Sequence, residues 1–499
     1  MTTRRLTTAQ SDRAAGVLLG HASGDALGAG YEFGPAMPAA TPVGMVGGGA
    51  FGWEPGEWTD DTQMAVPILE AAERAASEGL QLLDRLDDVA TAWIDWAASA
   101  PDVGNQTRSV LSAARQSGRP TAETVAEQSR RLHAHTGHTA GNGSLMRTSP
   151  VALAYLSDDD AIATAARVVS SLTHWDDDAG DACVLWCLAI SHAVLTGELD
   201  LRRGLAWLPE ERRPTWSDRI DEAEHGRPTD FPRNGWVVYA FQEAWSAITT
   251  TPVPPLDPAR DSFPAQHLRL TLETIVRAGH DTDTVAAIAG QLLGARWGSS
   301  AVPGEWRRIL HGWPHLTGAD LAVRGLTLAR GGSDSSGWPR TDRVDYSGWG
   351  ARGRLAVHPH DPGLLLGDAA TLDRLPEGVD AVVSLCRVGT AVPAALPSGR
   401  HVEVWLIDRP DPEENPNLDF VLADAADTIA ALRAQGRTVL LHCVAAQSRT
   451  PTVGAAYSVR HLGRPADSAL DEVCAVLPDP QPNLAFAAAV RRMTLASGA

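Results

Sequence analysis

Between residues 331 and 353 the chain changes character, and that change limits every fold it can adopt. Gly331-Gly332-Ser333-Asp334-Ser335-Ser336-Gly337-Trp338-Pro339-Arg340 has the composition of a linker, and Gly and Ser recur as far as Gly353. At 499 residues the chain is too long for one hydrophobic core. Two domains are therefore expected, over residues 1–328 and 352–499, joined by a linker over 329–351 that Trp338, Tyr346 and Trp349 can anchor. Before the linker, apolar residues recur at helical spacing, as in Met64, Val66, Ile68 and Leu69 or Val285, Ile288, Leu292 and Leu293. After it, apolar runs at 363–368, 381–385 and 402–406 read as strands and 418–433 as a helix, which predicts a parallel α/β sheet. Residues 207–264 are rich in Pro and charge and read as irregular loops that shape substrate access.

Thr59-Asp60-Asp61 and Asp281-Thr282-Asp283-Thr284 carry the chemistry of the first part. Carboxylates this close repel one another unless a cation neutralises them, and hard divalent ions such as Mg²⁺ take oxygen ligands of this kind. The two segments read as halves of a split metal site. Each also precedes a helical pattern, so the competing reading is a pair of helix N-caps. A cap needs one such residue, whereas each segment offers at least three.

Gly24-Asp25-Ala26-Leu27-Gly28 with Tyr31-Glu32, Glu57-Trp58-Thr59-Asp60-Asp61-Thr62, Gly141-Asn142-Gly143-Ser144-Leu145-Met146-Arg147, Thr173-His174, and the DTDT run with Gly290 follow in that order. Over residues 10–325 this series resembles the ADP-ribosylglycohydrolase family, which includes the dinitrogenase reductase-activating glycohydrolases. The resemblance implies an all-helical fold, two Mg²⁺ ions in a central cleft, and cleavage of ADP-ribose from a modified protein, nucleic acid or small molecule. By position it gives Thr59, Asp60, Asp61, Asp281, Asp283 and Thr284 to the metal, with Thr282 turned elsewhere. Gly141, Asn142, Gly143, Ser144 and His174 fall to ADP-ribose, where glycine allows close backbone approach to a pyrophosphate. His174 also has a plainer reading as a structural histidine, and Asp176, Asp177 and Asp178 as a solvated helix entry. Glu32 falls near the scissile bond as a catalytic acid; the leaving group's proton comes either from it or from water at the metal site. His280 stands where the family usually has Gly.

In the second part, the apolar run Val439-Leu440-Leu441-His442-Cys443 leads into Val444-Ala445-Ala446-Gln447-Ser448-Arg449-Thr450 and a helical stretch. Over 352–495 this Cys-x5-Arg arrangement resembles the cysteine-dependent protein tyrosine and dual-specificity phosphatases. The resemblance implies a Cys443 thiolate at a helix N-terminus, Arg449 gripping phosphate oxygens, Thr450 bonded to the sulfur, and Asp411 as the acid, with Asp408 as the fallback. Ala446 departs from the glycine usual in that loop.

A formal charge of −19 excludes a basic surface for non-specific nucleic-acid binding. The chain contains no lysine, so its 42 basic residues are all arginine, and a lysine nucleophile is excluded. Five cysteines without a paired framework point to a reducing compartment, with Cys183 and Cys187 as core packing. No signal-peptide pattern follows Met1 and no run reads as a membrane span, so a soluble cytoplasmic protein without a membrane partner is expected. The leading reading is a Mg²⁺-dependent ADP-ribosyl hydrolase fused to a phosphatase or phosphate-binding domain. Its rivals are a phosphatase with a nucleotide-binding first domain, and a reader that binds ADP-ribose and phosphate without turnover.

Overall fold

Helices α1 (Thr8–Gly28), α2 (Asp60–Glu78), α3 (Asp177–Thr196), α4 (Val237–Thr250) and α5 (Thr282–Trp297) frame the first of two units in the computed structural model. The structure describes residues 4–118, 120–332, 334–391, 396–397 and 399–496. Glycine at positions 16, 20, 24 and 28 lines one face of α1, and that face meets α5 backbone to backbone. A Cβ on Gly20 would lie 2.3 Å from the Gly290 carbonyl oxygen, one on Gly24 2.0 Å from that of Ala286, and one on Gly28 2.4 Å from Asp283 Cα. The stripe thus presses the end of α1 onto the acidic start of α5. α1 opens with a capping box between Thr7 and Gln10, and α2 closes at Gly79 in the left-handed conformation.

α3 corrects one expectation: by length and composition it could cross a membrane. Most of it is instead buried inside the unit, where Trp186 Nε1 donates to the Ile288 carbonyl of α5 at 2.9 Å. Asp176 caps α3, and Asp178 pairs with Arg212 and Arg219. The stretch 207–264 is also more ordered than its composition suggests. It contains α4 and a helix over Arg213–His225, whose apolar stripe is only Trp216, Ile220 and Ala223, too narrow to stand out among charges.

The second unit is α/β. Strands β1 (Leu355–His358), β2 (Asp361–Asp368), β3 (Ala381–Ser384), β4 (His401–Glu403) and β5 (Val439–Cys443) form a sheet in the order β1-β2-β5-β3-β4. Only β1 runs antiparallel to its neighbour. Helices α6 (Leu418–Ala434) and α7 (Arg449–Leu462) bury Leu422, Ile429 and Val453 against Leu366, Val383 and Leu441. The register sets Asp368 beside Cys443 and Ser384 beside His442.

Two excursions from earlier in the sequence, Val253–His267 and Pro303–Ile309, belong to this second unit. Asp424 on α6 accepts from the Gly304 amide at 2.7 Å and pairs with Arg307 at 2.8 Å. Asp261 pairs with the buried Arg460 at 2.8 Å, and Phe263 meets Phe420 edge-on. The stretch read as a linker packs here too. Trp338 is buried under Arg387 and against Trp405, whereas Trp349 is 74% exposed and anchors nothing. Ser333 lies outside the described residues.

Candidate active site

Thr59 and Asp281 occupy the N-cap positions of α2 and α5, yet neither side chain makes a capping bond. Asp25, from α1, caps α2 instead. Its carboxylate accepts from the Thr59 amide (2.8 Å), the Thr62 amide (2.9 Å) and the Thr62 hydroxyl (2.6 Å). The Thr59 hydroxyl is thereby free to donate to Asp61 Oδ2 at 2.9 Å, with Asp283 Oδ2 at 3.4 Å.

The carboxylates then converge. Oxygens of Asp25, Asp61 and Asp283 lie within 4.8 Å of one another, as do those of Glu32, Asp281 and Asp283. Burial, and next the neighbouring carboxylates, push Asp60, Asp61 and Asp283 well above the usual carboxylate range. Burial takes Asp25 up to about 6, and burial with Asp281 and Asp102 takes Glu32 up to about 8. Asp61 Oδ1, Asp283 Oδ1 and Glu32 Oε2 are buried without a hydrogen-bond partner. Crowded, unpartnered carboxylate oxygens with no sulfur or imidazole among them fit a hard divalent cation such as Mg²⁺. Thr284 is buried and bonds Asp281, while the Thr282 hydroxyl turns away to the Gly28 carbonyl.

Backbone strain ties Glu32 to this cluster. Phe33 (φ 62°) and His280 (φ 65°) both sit in the left-handed region that favours glycine. They hold each other, the Phe33 amide donating to the His280 carbonyl (2.6 Å) and the His280 amide to the Gly34 carbonyl (2.8 Å). His280 is therefore accommodated at a cost in strain.

Gly141, Asn142 and Gly143 form a tight turn against His174. A Cβ on Gly141 or Gly143 would stand 3.3 or 3.2 Å from His174 Nε2, so a side chain there would crowd the ring. Asn142 Nδ2 donates to Asp281 Oδ2 (2.7 Å) and to the Asn234 carbonyl (2.9 Å), joining the loop to the acidic cluster. Ser144 is turned inward, bonded to Ser170 and Cys183, so its hydroxyl does not face the loop. Trp236 pairs through its backbone with Gly141 and stays 39% exposed beside it. Asp25, Asn234 and Trp236 were absent from the sequence-derived site. Of these only Asp25 had a signal, its place inside the Gly24–Gly28 motif.

In the second unit, Cys443 ends β5 and Arg449 opens α7. Arg449 Nη1 donates to the carbonyls of Leu385 (2.6 Å) and Leu406 (3.1 Å), and its Nε lies 3.7 Å from Asp408. Asp408 also accepts from Ser448 Oγ (2.7 Å) and Asn483 Nδ2 (3.1 Å). The Asp411 carboxylate is exposed and, among the described residues, accepts from the Glu413 amide, so Asp408 is the aspartate brought to the Cys-Arg loop. The Thr450 hydroxyl lies 3.3 Å from the Gly367 carbonyl, which corrects the expected bond to sulfur. Ala446 adopts φ 55°, the conformation glycine would supply. Ala446→Gly is therefore expected to stabilise the protein by about 1 kcal/mol, read in thermal unfolding of the second unit.

A family model described as ADP-ribosylglycohydrolase matches residues 6–334. The ADP-ribosylarginine hydrolase Tri1 of Pseudomonas putida (strain GB-1) is 30% identical over 302 residues, covering 59% of this chain and 73% of its own length. The ADP-ribosyl-dinitrogen reductase glycohydrolase of Rhodospirillum rubrum is 30% identical over 300 residues, covering 59% and 89%. The crystal structure of human DUSP28 is 24% identical, covers 28% of this chain and 92% of its own, and has a TM-score of 0.24. The family match spans Asp25, both acidic clusters and the glycine loop, and by it this chain belongs to the ADP-ribosylglycohydrolase family.

Proposed function

We propose that the first unit is a Mg²⁺-dependent hydrolase that releases ADP-ribose from a modified protein, nucleic acid or small acceptor. The convergence of buried carboxylates whose oxygens lack partners carries this reading. Two ions would be held by Thr59, Asp60, Asp61, Asp281, Asp283 and Thr284. Bound there, Mg²⁺ would neutralise the cluster and polarise oxygens of the ribose and of water.

The rest falls to the chain's own groups. The Gly141–Gly143 loop takes the pyrophosphate at close backbone range, and Asn142 keeps that loop in register with Asp281. Glu32 stands beside the acidic cluster to give its proton to the leaving atom as the bond from the anomeric carbon breaks, and to take a proton from the attacking water. Trp236 offers a face on which adenine can stack, so Trp236→Ala is expected to raise KM about tenfold with little change in kcat.

ADP-ribose release from arginine-, serine- and nucleobase-linked substrates, with and without Mg²⁺, tests this reading. Release that needs Mg²⁺ and names one linkage supports it. Folded protein that releases nothing from any substrate in Mg²⁺ sinks it.

For the second unit, the strand-to-helix placement of Cys443 and Arg449 favours cleavage of a phosphate monoester. The thiolate would attack phosphorus while Asp408 protonates the departing oxygen, and water would then hydrolyse the phosphocysteine. Hydrolysis of p-nitrophenyl phosphate that disappears in Cys443→Ser and falls in Asp408→Asn but not in Asp411→Asn supports that assignment. The reverse order of the two aspartate variants contradicts it.

A further inference from the structure

Arg147 is an expensive residue in the place it occupies. It is fully buried, and among the described residues it has no ion pair. A buried guanidinium with no carboxylate in contact is costly unless other groups offset the loss of water. What it has instead is the face of Trp93 at 3.9 Å, Met64 Sδ at 3.3 Å from Nη1, and Thr173 Oγ1 at 2.6 Å from Nη2. The mechanism above makes no use of it.

Its bond to Thr173 has a directional consequence. A guanidinium only donates, so the Thr173 oxygen is the acceptor in that contact and its own proton must go elsewhere. Among the described residues the available acceptor is His174 Nδ1, at 2.7 Å. The Thr173 backbone cannot turn to another partner. Its carbonyl is held by Gln106 Nε2 at 2.9 Å, and the amides of Thr173 and His174 both donate to the Ser170 carbonyl. With Nδ1 accepting, the remaining ring proton sits on Nε2, the atom that lies beneath Gly141 and Gly143.

We infer that Arg147 and Thr173 are positioning residues that fix His174 as its neutral Nε2–H tautomer, presenting one directed donor to an oxygen of the ligand in the glycine loop. Burial and the Arg147 charge also hold the His174 imidazole well below its usual pKa, so the ring stays neutral and the donor persists across ordinary pH. The ligand clause rests on reading that loop as the ADP-ribose site.

Two readouts test the relay and the ligand separately. In full-length protein labelled with ¹⁵N-histidine, the His174 signal is assigned by its loss in His174→Asn, and its two nitrogen shifts report the tautomer. The expected result is Nε2–H without ligand, an altered tautomer balance in Thr173→Val, and recovery in Thr173→Ser. In calorimetry with ADP-ribose, Thr173→Val is expected to bind about tenfold more weakly, Thr173→Ser nearly as the native protein, and kcat to change less than about threefold. A native His174 in the Nδ1–H form overturns the relay. Native-strength ADP-ribose binding by folded Thr173→Val overturns the role of the donor. A native Nε2–H tautomer in a protein that binds no ADP-ribose overturns the ligand assignment, and with it the functional reading of the loop.

Discussion

Asp61→Asn is expected to move activity and metal-free stability in opposite directions. ADP-ribose release should fall by more than about a hundredfold, since disturbing even an outer-shell partner of a metal site costs that much. In EDTA, however, the variant should melt above the native protein. Asp61 sits within 4.8 Å of Asp25 and Asp283, and its Oδ1 has no partner. Asn keeps an oxygen for the Thr59 hydroxyl and turns the other position into a donor facing two carboxylates, replacing repulsion with a hydrogen bond. Mg²⁺ should then raise the melting temperature of the native protein and leave the variant nearly unchanged.

The native protein's pH dependence has the same origin. Glu32 titrates near about 8 and Asp25 near about 6 in the metal-free fold, while carboxyls of an unfolded chain titrate near ~4. At these two groups the folded state therefore binds more protons between those values, and their contribution to metal-free stability falls as pH rises from about 4 to 8. Saturating Mg²⁺ should flatten that slope. A pH slope that saturating Mg²⁺ leaves unchanged, or an Asp61→Asn variant that melts below native in EDTA, would refute the crowded-carboxylate account.

Gly24→Ala should be among the most damaging single-methyl changes in the first unit. Its Cβ would fall 2.0 Å from the Ala286 carbonyl oxygen and 2.4 Å from the carbonyl carbon, both backbone atoms within α5. No rotamer relieves such a contact, so α1 and α5 must separate along their length. A loss of more than about 3 kcal/mol is expected, at the upper end of overpacking. The separation also carries Asp25 away from Asp283, so Mg²⁺-induced stabilisation should vanish with it. Gly44→Ala, with nothing within 4 Å of the added carbon, is the matched control. A Gly24→Ala protein that melts and binds Mg²⁺ like Gly44→Ala would show that the helices tolerate a wider spacing.

What could be read before the structure was local. Asp60-Asp61 and Asp281–Asp283 declare themselves because like charges side by side need a reason, and the Cys443 to Arg449 spacing because one loop holds both. The α/β alternation after the linker was equally visible in its apolar runs. Asp25 was harder: its work is done on amides 34 and 37 residues away, and nothing in its neighbours shows that. Glycines 16, 20, 24 and 28 look like poor helix formers until α5 lies against them. Distance along the chain pointed to Asp411, but Asn415 folds that loop back by bonding the Ile407 amide and carbonyl, and Asp408 arrives instead. A motif likewise names a residue without saying which way its hydroxyl turns, and that of Ser144 turns to Ser170 and Cys183.

The excursions at 253–267 and 303–309 impose an order on synthesis. Both leave the ribosome before α6 and α7 exist, so Phe263, Gly304 and Arg307 have no partners when they emerge. At ~5–20 residues per second, α7 is complete roughly ten seconds or more after the second excursion. Until then the first unit must fold around two segments that it does not itself retain. Emergence of α6 and α7, more than closure of any one core, therefore sets when the second unit can form, and a transcript cut short after residue 332 would yield a protein trailing two segments with nothing to pack against.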